Sequence, residues 1–160
     1  MDINKKEALD KRVQGLNPRT VIIGLILQAN DMSDDPNKSV GCAVYLKEKD
    51  TFIEGYNRLP EGIKIRDERL ERPNKYQWIE HAERDLIYKA ASIGASLKGR
   101  DMYMTWFPCP DCARAIIASG IKRIYYPDGS CNPESSWANK LITSEEMLLE
   151  VGIELIKVKL

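Results

Sequence analysis

The chain has 160 residues, with 24 Lys and Arg against 24 Asp and Glu, so its formal net charge at pH 7 is zero. This length predicts one domain with a sizeable core, and a hydrophobic content of 43% is ordinary for a soluble globular protein. A zero net charge gives no overall field toward nucleic acid, and the longest apolar run, residues 21–27, is too short to cross a bilayer. We therefore expect neither an extended nucleic-acid partner nor a membrane partner.

The cysteines indicate a reducing compartment. Two of the four form a Cys-x-x-Cys pair, which suits the cytoplasm better than a disulfide framework does. Cys42 and Cys131 have no visible partner in the sequence and are expected to be ordinary buried thiols. The apolar run follows a polar segment of mixed charge, which is not the pattern of a signal peptide. We expect a cytoplasmic location.

The first half of the chain predicts a tail, a helix and a hairpin. Residues 1–17 are charged and weakly patterned, which indicates a tail or short surface helix ahead of a single domain over residues 18–160. Pro18 suits the first turn of a helix that continues through the apolar run. Two β-prone runs between residues 41 and 53 flank a charged tetrapeptide and predict a hairpin. Residues 58–77 show no clean period, and a loop of that length is usually functional or mobile.

The second half alternates helices and strands. The spacing of apolar residues predicts helices over residues 78–92, 112–119 and 144–151 and strands over residues 102–107, 121–126 and 153–158. Gly120 and Gly152 directly follow two of these helices, as helix-terminating glycines do. Such alternation implies parallel strands joined by right-handed crossovers.

Two short motifs carry the chemistry. His81, the single histidine, opens His-Ala-Glu, and Cys109 and Cys112 lie between a predicted strand and a predicted helix, whose N-terminus favours thiolates. One imidazole and two thiolates form a zinc site that leaves the fourth tetrahedral position for water. Glu83 is not needed as a ligand and is free to move protons. Together the motifs match the H-x-E…P-C-x-x-C signature of zinc nucleobase deaminases.

Each motif alone has another interpretation. A Cys-x-x-Cys pair between a strand and a helix is also typical of a thiol–disulfide oxidoreductase that would use Cys109 and Cys112. A non-enzymatic zinc module would want a fourth protein ligand, which Cys42 or Cys131 would have to supply. The conjunction of both motifs, each at an expected helix start, favours the deaminase.

The residues around the motifs resemble a known family. Residues 76–84 (YQWIEHAER) and 102–121 (MYMTWFPCPDCARAIIASGI) look like the deoxycytidylate (dCMP) deaminase family, and Gly-Tyr-Asn at 55–57 resembles that family's loop before the histidine motif. The likeness covers roughly residues 20–126. It implies the α/β cytidine-deaminase-like fold, a three-layer α/β/α sandwich around a five-stranded mixed sheet whose first strand is antiparallel.

The resemblance also implies roles for single residues. The histidine and the two cysteines of the motifs would hold one catalytic Zn²⁺ per chain, with Glu83 as the proton shuttle. Glu83 and the backbone of Ala82 would contact the pyrimidine, and Asn57 the deoxyribose. The sequence departs from the best-known members at Arg58, where they usually have glycine. It also lacks the histidine- and cysteine-rich insert of members with a second zinc, so nucleotide feedback regulation is not implied.

Two groups beside the motifs have competing interpretations. Trp106 and Phe107 end a predicted strand before the cysteine pair, and they either pack in the core or line the base pocket. Between residues 61 and 75, five basic residues interleave with four acidic ones, which is typical of a solvated face. Their place between Asn57 and His81 also suits a grip on a phosphate by charge-assisted hydrogen bonds. The candidates for that role are Arg66, Arg69 and Arg72.

The predicted function is hydrolytic deamination of dCMP to dUMP with release of ammonia, which would supply dUMP for thymidylate synthesis. The metal motif specifies the reaction and not the substrate, so another free nucleoside or nucleotide, or a tRNA adenosine, is the alternative. The zero net charge counts against an RNA stem. A substrate phosphate would supply remote binding energy, so dCMP should react far better than deoxycytidine.

Assembly is predicted from the resemblance. Members of this fold generally form dimers or larger rings, and we expect a homo-oligomer here, with a hexamer favoured. The apolar pair Ile116 and Ile117, with Trp78, is a candidate contact face, although these residues equally suit the core. Trp137 is predicted to make a surface or oligomer contact.

Overall fold

The computed structural model describes residues 15–130 and 138–160. Cys131, Trp137 and residues 1–14 of the predicted N-terminal segment lie outside this range, and the division between that segment and a domain over residues 18–160 stays a prediction. The helices of the described residues are α1 (Pro18–Met32), α2 (Asp67–Leu70), α3 (Lys75–Trp78), α4 (Ala82–Ser92), α5 (Pro110–Ser119) and α6 (Ala138–Glu150). The strands are β1 (Gly41–Leu46), β2 (Thr51–Tyr56), β3 (Asp101–Met104), β4 (Arg123–Pro127) and β5 (Glu154–Val158).

The strands form one five-stranded mixed sheet in the order β2-β1-β3-β4-β5. The first strand, β1, runs antiparallel to both of its neighbours. The last three strands run parallel to one another, as the helix–strand alternation predicted. The predicted hairpin is present, with the turn between β1 and β2 formed by a short 3₁₀ helix over Lys47–Lys49.

Helices cover both faces of the sheet. On one face, Ile22 and Leu25 of α1 pack against Ala43 and Tyr103. On the other face, α4, α5 and α6 bury a larger core. Burying an aliphatic side chain of this kind stabilises the fold by roughly 1.5–3 kcal/mol. The three-layer α/β/α sandwich predicted for the chain is confirmed. None of the helices in the described part of the chain has the length and apolar character needed to span a bilayer.

Local capping explains where two helices begin and end. Asn17 caps α1, because its side-chain oxygen accepts a hydrogen bond from the backbone N–H of Arg19, and Pro18 occupies the first position. Gly120 follows α5 in the left-handed conformation (φ 77°), which glycine adopts readily because it has no Cβ atom that would clash with the backbone. Both boundaries agree with the sequence prediction.

Other boundaries differ from the prediction. The helix expected over residues 78–92 begins at Ala82, because Arg58 and Glu80 pair as an isolated antiparallel bridge that keeps the preceding backbone extended. Ile93 directly follows α4 and is 53% exposed, although its spacing from the apolar residues of this helix would place it on the buried face. The strand expected to reach Phe107 ends at Met104, and α6 begins six residues before the predicted position of Ser144.

Strand β2 lies unusually close to the start of α4. A Cβ atom on Gly55 would lie 2.1 Å from the carbonyl oxygen of Ala82 and 2.6 Å from the backbone nitrogen of Leu86. Only glycine permits this approach without movement of one of the two backbones. The N-terminus of α4 is therefore held directly against the sheet.

Candidate active site

The two sequence motifs come together at two helix starts. His81 is the N-cap residue of α4, and Cys109 is the N-cap residue of α5, with Cys112 in the first turn of that helix. The Sγ atoms of Cys109 and Cys112 each lie 3.5 Å from Nδ1 of His81. The three possible ligand atoms all lie within 4.8 Å of one another. We call these three residues the metal cluster.

The geometry of the metal cluster fits a zinc ion. Tetrahedral zinc with bonds of about 2.3 Å to sulfur and 2.0–2.1 Å to nitrogen puts these atoms roughly 3.5 Å apart, which matches the two sulfur–nitrogen distances. Among the described residues, no fourth His, Cys, Asp or Glu joins this group. Cys42 in particular is a separate, fully buried free thiol. Three protein ligands are typical of a catalytic zinc site rather than a structural one.

Hydrogen bonding within the metal cluster favours a thiolate. The hydrogen bond from the Cys112 thiol lowers the pKa of Cys109 to about 4, although burial alone would raise it, and His81 adds to the lowering. The hydrogen bond to Cys109 in turn raises the pKa of His81. The hydrogen bond between Cys112 and Cys109, together with burial, raises the pKa of Cys112. A bound cation deprotonates coordinating thiols, so it would ionise Cys112 as well.

Glu83 lies beside the metal cluster and outside its ligand set. It is the second residue of α4 and is only 4% exposed. Burial raises the pKa of this carboxyl. A buried carboxyl with a raised pKa is suited to take a proton and return it near neutral pH.

A cavity of about 500 Å³ opens beside these residues. This volume is within the range of small-molecule sites. The described residues that line it are Asp35, Lys38, Val40, Asn57, Arg72, Lys75, Tyr76, Ile79, His81, Ala82, Glu83, Trp106, Phe107, Cys109 and Leu141. We call the charged group of Asp35, Lys38, Arg72 and Lys75 the cationic cluster.

Two predicted substrate-binding residues line this cavity with different surroundings. Ala82 is fully buried at the start of α4. The Asn57 side-chain oxygen accepts hydrogen bonds of 2.7 Å from the Ser33 hydroxyl and from the Val40 N–H. Its amide nitrogen donates to the carbonyl of Lys38 at 2.7 Å. Asn57 therefore shapes the loop over residues 33–40, which sequence reasoning did not anticipate.

The two aromatic residues before the cysteine pair both line the cavity. Phe107 is 2% exposed and also packs edge-on against Tyr126, so it belongs to the core and to the cavity wall. Trp106 is partly exposed, and the Lys38 ammonium lies 3.1 Å from the centroid of its ring. The two interpretations from the sequence are thus compatible rather than exclusive.

The three candidate arginines lie in different places. Arg72 lines the cavity. Arg66 is half exposed and lies 3.8 Å from Glu68 in an ion pair. Arg69 donates to the carbonyl of Lys64 at 2.9 Å and stacks over the Trp78 ring. Neither Arg66 nor Arg69 is among the described lining residues of the cavity.

Sequence reasoning missed two lysines of the cationic cluster. Lys38 was not singled out, and Lys75 was counted with a solvated face but is 4% exposed. No local pattern distinguishes either residue from a surface lysine. Only the partner Asp35, which lies 40 positions before Lys75, explains its burial.

The predicted face for assembly is partly internal. Ile116 is fully buried in the core of the chain itself, and Ile117 packs against that core. Trp78 is 37% exposed, beneath the guanidinium of Arg69.

Comparison with known sequences identifies relatives over most of the chain. The family model of the cytidine and deoxycytidylate deaminase zinc-binding region matches residues 20–127. An uncharacterized deaminase in the luxG 3′ region of Aliivibrio fischeri is 36% identical over 122 residues, 76% of this chain and 80% of that protein. The deoxycytidylate deaminase of enterobacteria phage T4 is 40% identical over 49% of this chain and 37% of its own length. The human deoxycytidylate deaminase is 33% identical over 59% of this chain and 55% of its own length.

Solved structures share the fold. The dCMP deaminase of cyanophage S-TIM5, in complex with dCMP and dUMP, superposes with a TM-score of 0.67 at 23% identity, covering 88% of this chain and 95% of that chain. The deaminase/reductase of Thermotoga maritima gives a TM-score of 0.54 at 23% identity, covering 88% of this chain and 37% of that chain. The prediction of a cytidine-deaminase-like fold is confirmed.

Proposed function

This chain belongs to the cytidine and deoxycytidylate deaminase family, and we propose that it catalyses the zinc-dependent hydrolytic deamination of dCMP to dUMP with release of ammonia. The prediction of a deaminase enzyme is confirmed by that membership. One observation carries the choice of substrate: the same cavity is lined by His81 and Cys109 of the metal cluster, by Glu83 and by a cluster with excess positive charge. The relatives named deoxycytidylate deaminases and the cyanophage complex with dCMP support it.

The proposed zinc ligands are Nδ1 of His81 and the two thiolates of Cys109 and Cys112. The spacing of these atoms supports one Zn²⁺ per chain. When bound with an open fourth position, zinc activates a water molecule for attack on a nucleobase.

Glu83 is proposed to carry the proton. Its carboxylate takes a proton from the attacking water and delivers it to the amine, so that the carbon–nitrogen bond breaks and ammonia leaves. The raised pKa of the buried carboxyl supports this role, because the group must alternate between its two protonation states. Acid–base help of this kind typically contributes about 10²–10⁴-fold to the rate.

The walls of the cavity are proposed to hold the nucleoside. Trp106 and Phe107 supply apolar surface for the base, and the backbone of Ala82 contacts the pyrimidine. Asn57 contacts the deoxyribose. Its amide nitrogen carries two N–H donors, and within the described residues one of them donates to the carbonyl of Lys38, so the other can donate to the sugar.

We further propose that the enzyme works in the cytoplasm as a homo-oligomer, with a hexamer favoured, and that its dUMP supplies thymidylate synthesis. Free thiols at all three described cysteines suit a reducing compartment. Light scattering at micromolar concentration tests the assembly, and a monomer would contradict it.

The reaction is tested by metal analysis and by ammonia release from cytosine, adenine and guanine nucleosides and nucleotides. We expect about one zinc per chain in protein purified without added zinc, lost in Cys109→Ala and kept in the control Cys42→Ala. Ammonia should be released from dCMP in preference to the purine compounds. A metal-free protein with a reversible Cys109–Cys112 disulfide would instead indicate the thiol–disulfide oxidoreductase, which the low pKa of Cys109 also suits.

A further inference from the structure

A buried ion pair lies in the wall of the cavity. The Lys75 ammonium donates to both carboxylate oxygens of Asp35, at 2.7 and 2.8 Å, and the two side chains are 5% and 13% exposed. Removing two charges from water costs several kcal/mol per ion, and apolar residues of the same size often stabilise a protein equally well or better. The position of this pair in the cavity wall therefore points to a role beyond stability.

The same carboxylate holds the backbone of Lys38. Asp35 Oδ1 accepts hydrogen bonds from the N–H groups of Asn37 at 2.8 Å and Lys38 at 3.4 Å. The carbonyl of Lys38 accepts from Asn57, and its ammonium lies over the Trp106 ring. Lys38 thus has a contact at its N–H, at its carbonyl and at its side chain.

Arg72, the remaining member of the cationic cluster, lies in the same segment as Lys75. It lies three residues before Lys75 and lines the cavity. It also lines a neighbouring depression with Pro36 and Asn37, so it faces the loop that carries Lys38. The Asp35–Lys75 pair therefore connects the two segments that contribute the remaining two cations.

The charges of the cationic cluster match one phosphate monoester. Three cations and one carboxylate give a net charge of +2 among the described residues of the cluster. A phosphate monoester carries about −1.5 to −2 at pH 7, with a second pKa near 6. A nucleoside would leave this charge uncompensated, and a triphosphate would exceed it.

We propose that Lys38 and Arg72 bind the 5′-phosphate of a nucleoside monophosphate and that the buried Asp35–Lys75 pair positions them. This inference rests on the proposed function, because it assigns the phosphate of the substrate to residues of the same cavity. Lys38 and Arg72 determine specificity by direct contact. Asp35 and Lys75 act through them as positioning residues, because each neutralises the charge of the other.

The first experiment compares dCMP with deoxycytidine. Lys38→Ala and Arg72→Ala should each lower kcat/KM for dCMP by about 10–100-fold, because each removes a charge-assisted hydrogen bond. The values for deoxycytidine should change less than about threefold. Lys38→Arg should recover most of the loss, and Lys64→Ala, an exposed lysine outside the cavity lining, is the matched control. Equal losses for both substrates would overturn the assignment.

The second experiment varies the charge of the pair. Lys75→Gln leaves Asp35 uncompensated and lowers the net charge to +1, so the preference for dCMP over deoxycytidine should fall about tenfold or more. The double variant Asp35→Asn with Lys75→Gln restores +2 with a neutral pair, and the preference should return to within about threefold of the wild type. A purely structural link would lower activity on both substrates and leave their ratio unchanged. A double variant as defective in its ratio as Lys75→Gln alone would overturn the match between the net charge of the cluster and that of the phosphate.

Product binding separates this inference from the proposed function. Calorimetry with dUMP and deoxyuridine on the zinc-loaded protein needs no turnover. If the wild type releases no ammonia from dCMP, the proposed function fails, while tighter binding of dUMP than deoxyuridine that is lost in Lys38→Ala would still support the phosphate site. Equal affinity for dUMP and deoxyuridine in the wild type would overturn the phosphate site even if dCMP is deaminated.

Discussion

The metal cluster and the cationic cluster meet at one cavity, which His81 and Cys109 line from the first and all four residues of the second, but the two clusters are built in different ways. All three members of the metal cluster lie at or within one turn of a helix N-terminus, and those helices rest on a core that includes the fully buried Leu86 and Ile116. The cationic cluster comes from a loop and from residues around a four-residue helix, linked mainly by polar contacts. Helix starts packed on the core therefore hold the proposed reacting groups, while loops hold the groups that would select the substrate. In such an arrangement, substrate preference can change without disturbing the chemistry.

The largest expected effect separates these two roles directly. Glu83→Gln removes the proposed proton carrier and no zinc ligand, so ammonia release should fall by at least about 10²–10⁴-fold for dCMP and deoxycytidine alike. Zinc content and the unfolding midpoint should stay close to those of the wild type. The measurement is ammonia release under zinc-saturated conditions, with the exposed Glu61→Gln as the matched control.

Two results would contradict this division of roles between the two clusters. Retained turnover in Glu83→Gln would remove this carboxyl from its proposed role. A loss confined to dCMP would mean that Glu83 acts in selecting the substrate, and the chemistry would then not be separable from the cationic cluster.

The second prediction concerns the support of the metal cluster. In Gly55→Ala the new Cβ would meet the Ala82 carbonyl at 2.1 Å, so β2 or the start of α4 must move. Backbone shifts of this kind typically cost about 1–3 kcal/mol. We expect that loss in urea unfolding, together with a lower kcat for both substrates, because the moved helix start carries His81 and Glu83.

The control for this variant is another glycine in the same molecule. A Cβ on Gly24, inside α1, meets nothing within 4 Å, so Gly24→Ala should stabilise the protein by about 0.5–1 kcal/mol and leave kcat unchanged. Unaltered stability and kcat in Gly55→Ala would show that the close approach of β2 does not support the active site.

The metal cluster could be predicted from the sequence because each of its three residues lies in a short motif. The spacing of Cys109 and Cys112 at a helix start is local information, and His81 is the single histidine of the chain. The same local character explains why the helix–strand alternation of the second half and the glycine after α5 were predicted correctly. The start of α4 was not, because the pairing of Arg58 with Glu80 joins residues that are 22 positions apart.

The two lysines of the cationic cluster could not be predicted in this way. Lys38 and Lys75 are two of 24 basic residues, and nothing in their immediate neighbours marks them. They meet only because the fold brings the loop after α1 against the segment around α3. Proximity in sequence to the histidine motif selected Arg72, which lines the cavity, together with Arg66 and Arg69, which are not among its described lining residues. The stacking of Arg69 on Trp78 is also a tertiary contact.

The smallest expected effect is a change in stability with pH in the cationic cluster. Burial alone would raise the pKa of Asp35, but the hydrogen bond from Lys75 and the backbone N–H of Asn37 outweigh it, and the pKa lies below the ordinary value of 3.8. A lowered native pKa means that ionised Asp35 stabilises the fold above pH 4 and that this contribution disappears as the pH falls through the native pKa. Asp35→Asn should therefore be less stable than the wild type between pH 5 and 7, by an amount that shrinks below about pH 4.

The measurement is the difference in unfolding free energy between the wild type and Asp35→Asn, because the effects of other acid-sensitive groups cancel in this difference. Acid would also protonate the proposed zinc ligands, but equally in the wild type and in Asp35→Asn, so the difference in unfolding free energy isolates the ion pair. The control is Asp128→Asn, at an exposed aspartate in the turn after β4, where the difference in unfolding free energy from the wild type should not shrink as the pH falls. If the difference between the wild type and Asp35→Asn stays constant down to pH 3, ionised Asp35 does not stabilise the fold through Lys75. The loop that carries Lys38 would then be held by its hydrogen bonds to Asn57. The cationic cluster, like the metal cluster, would then be supported by the surrounding fold and not by its own ion pair.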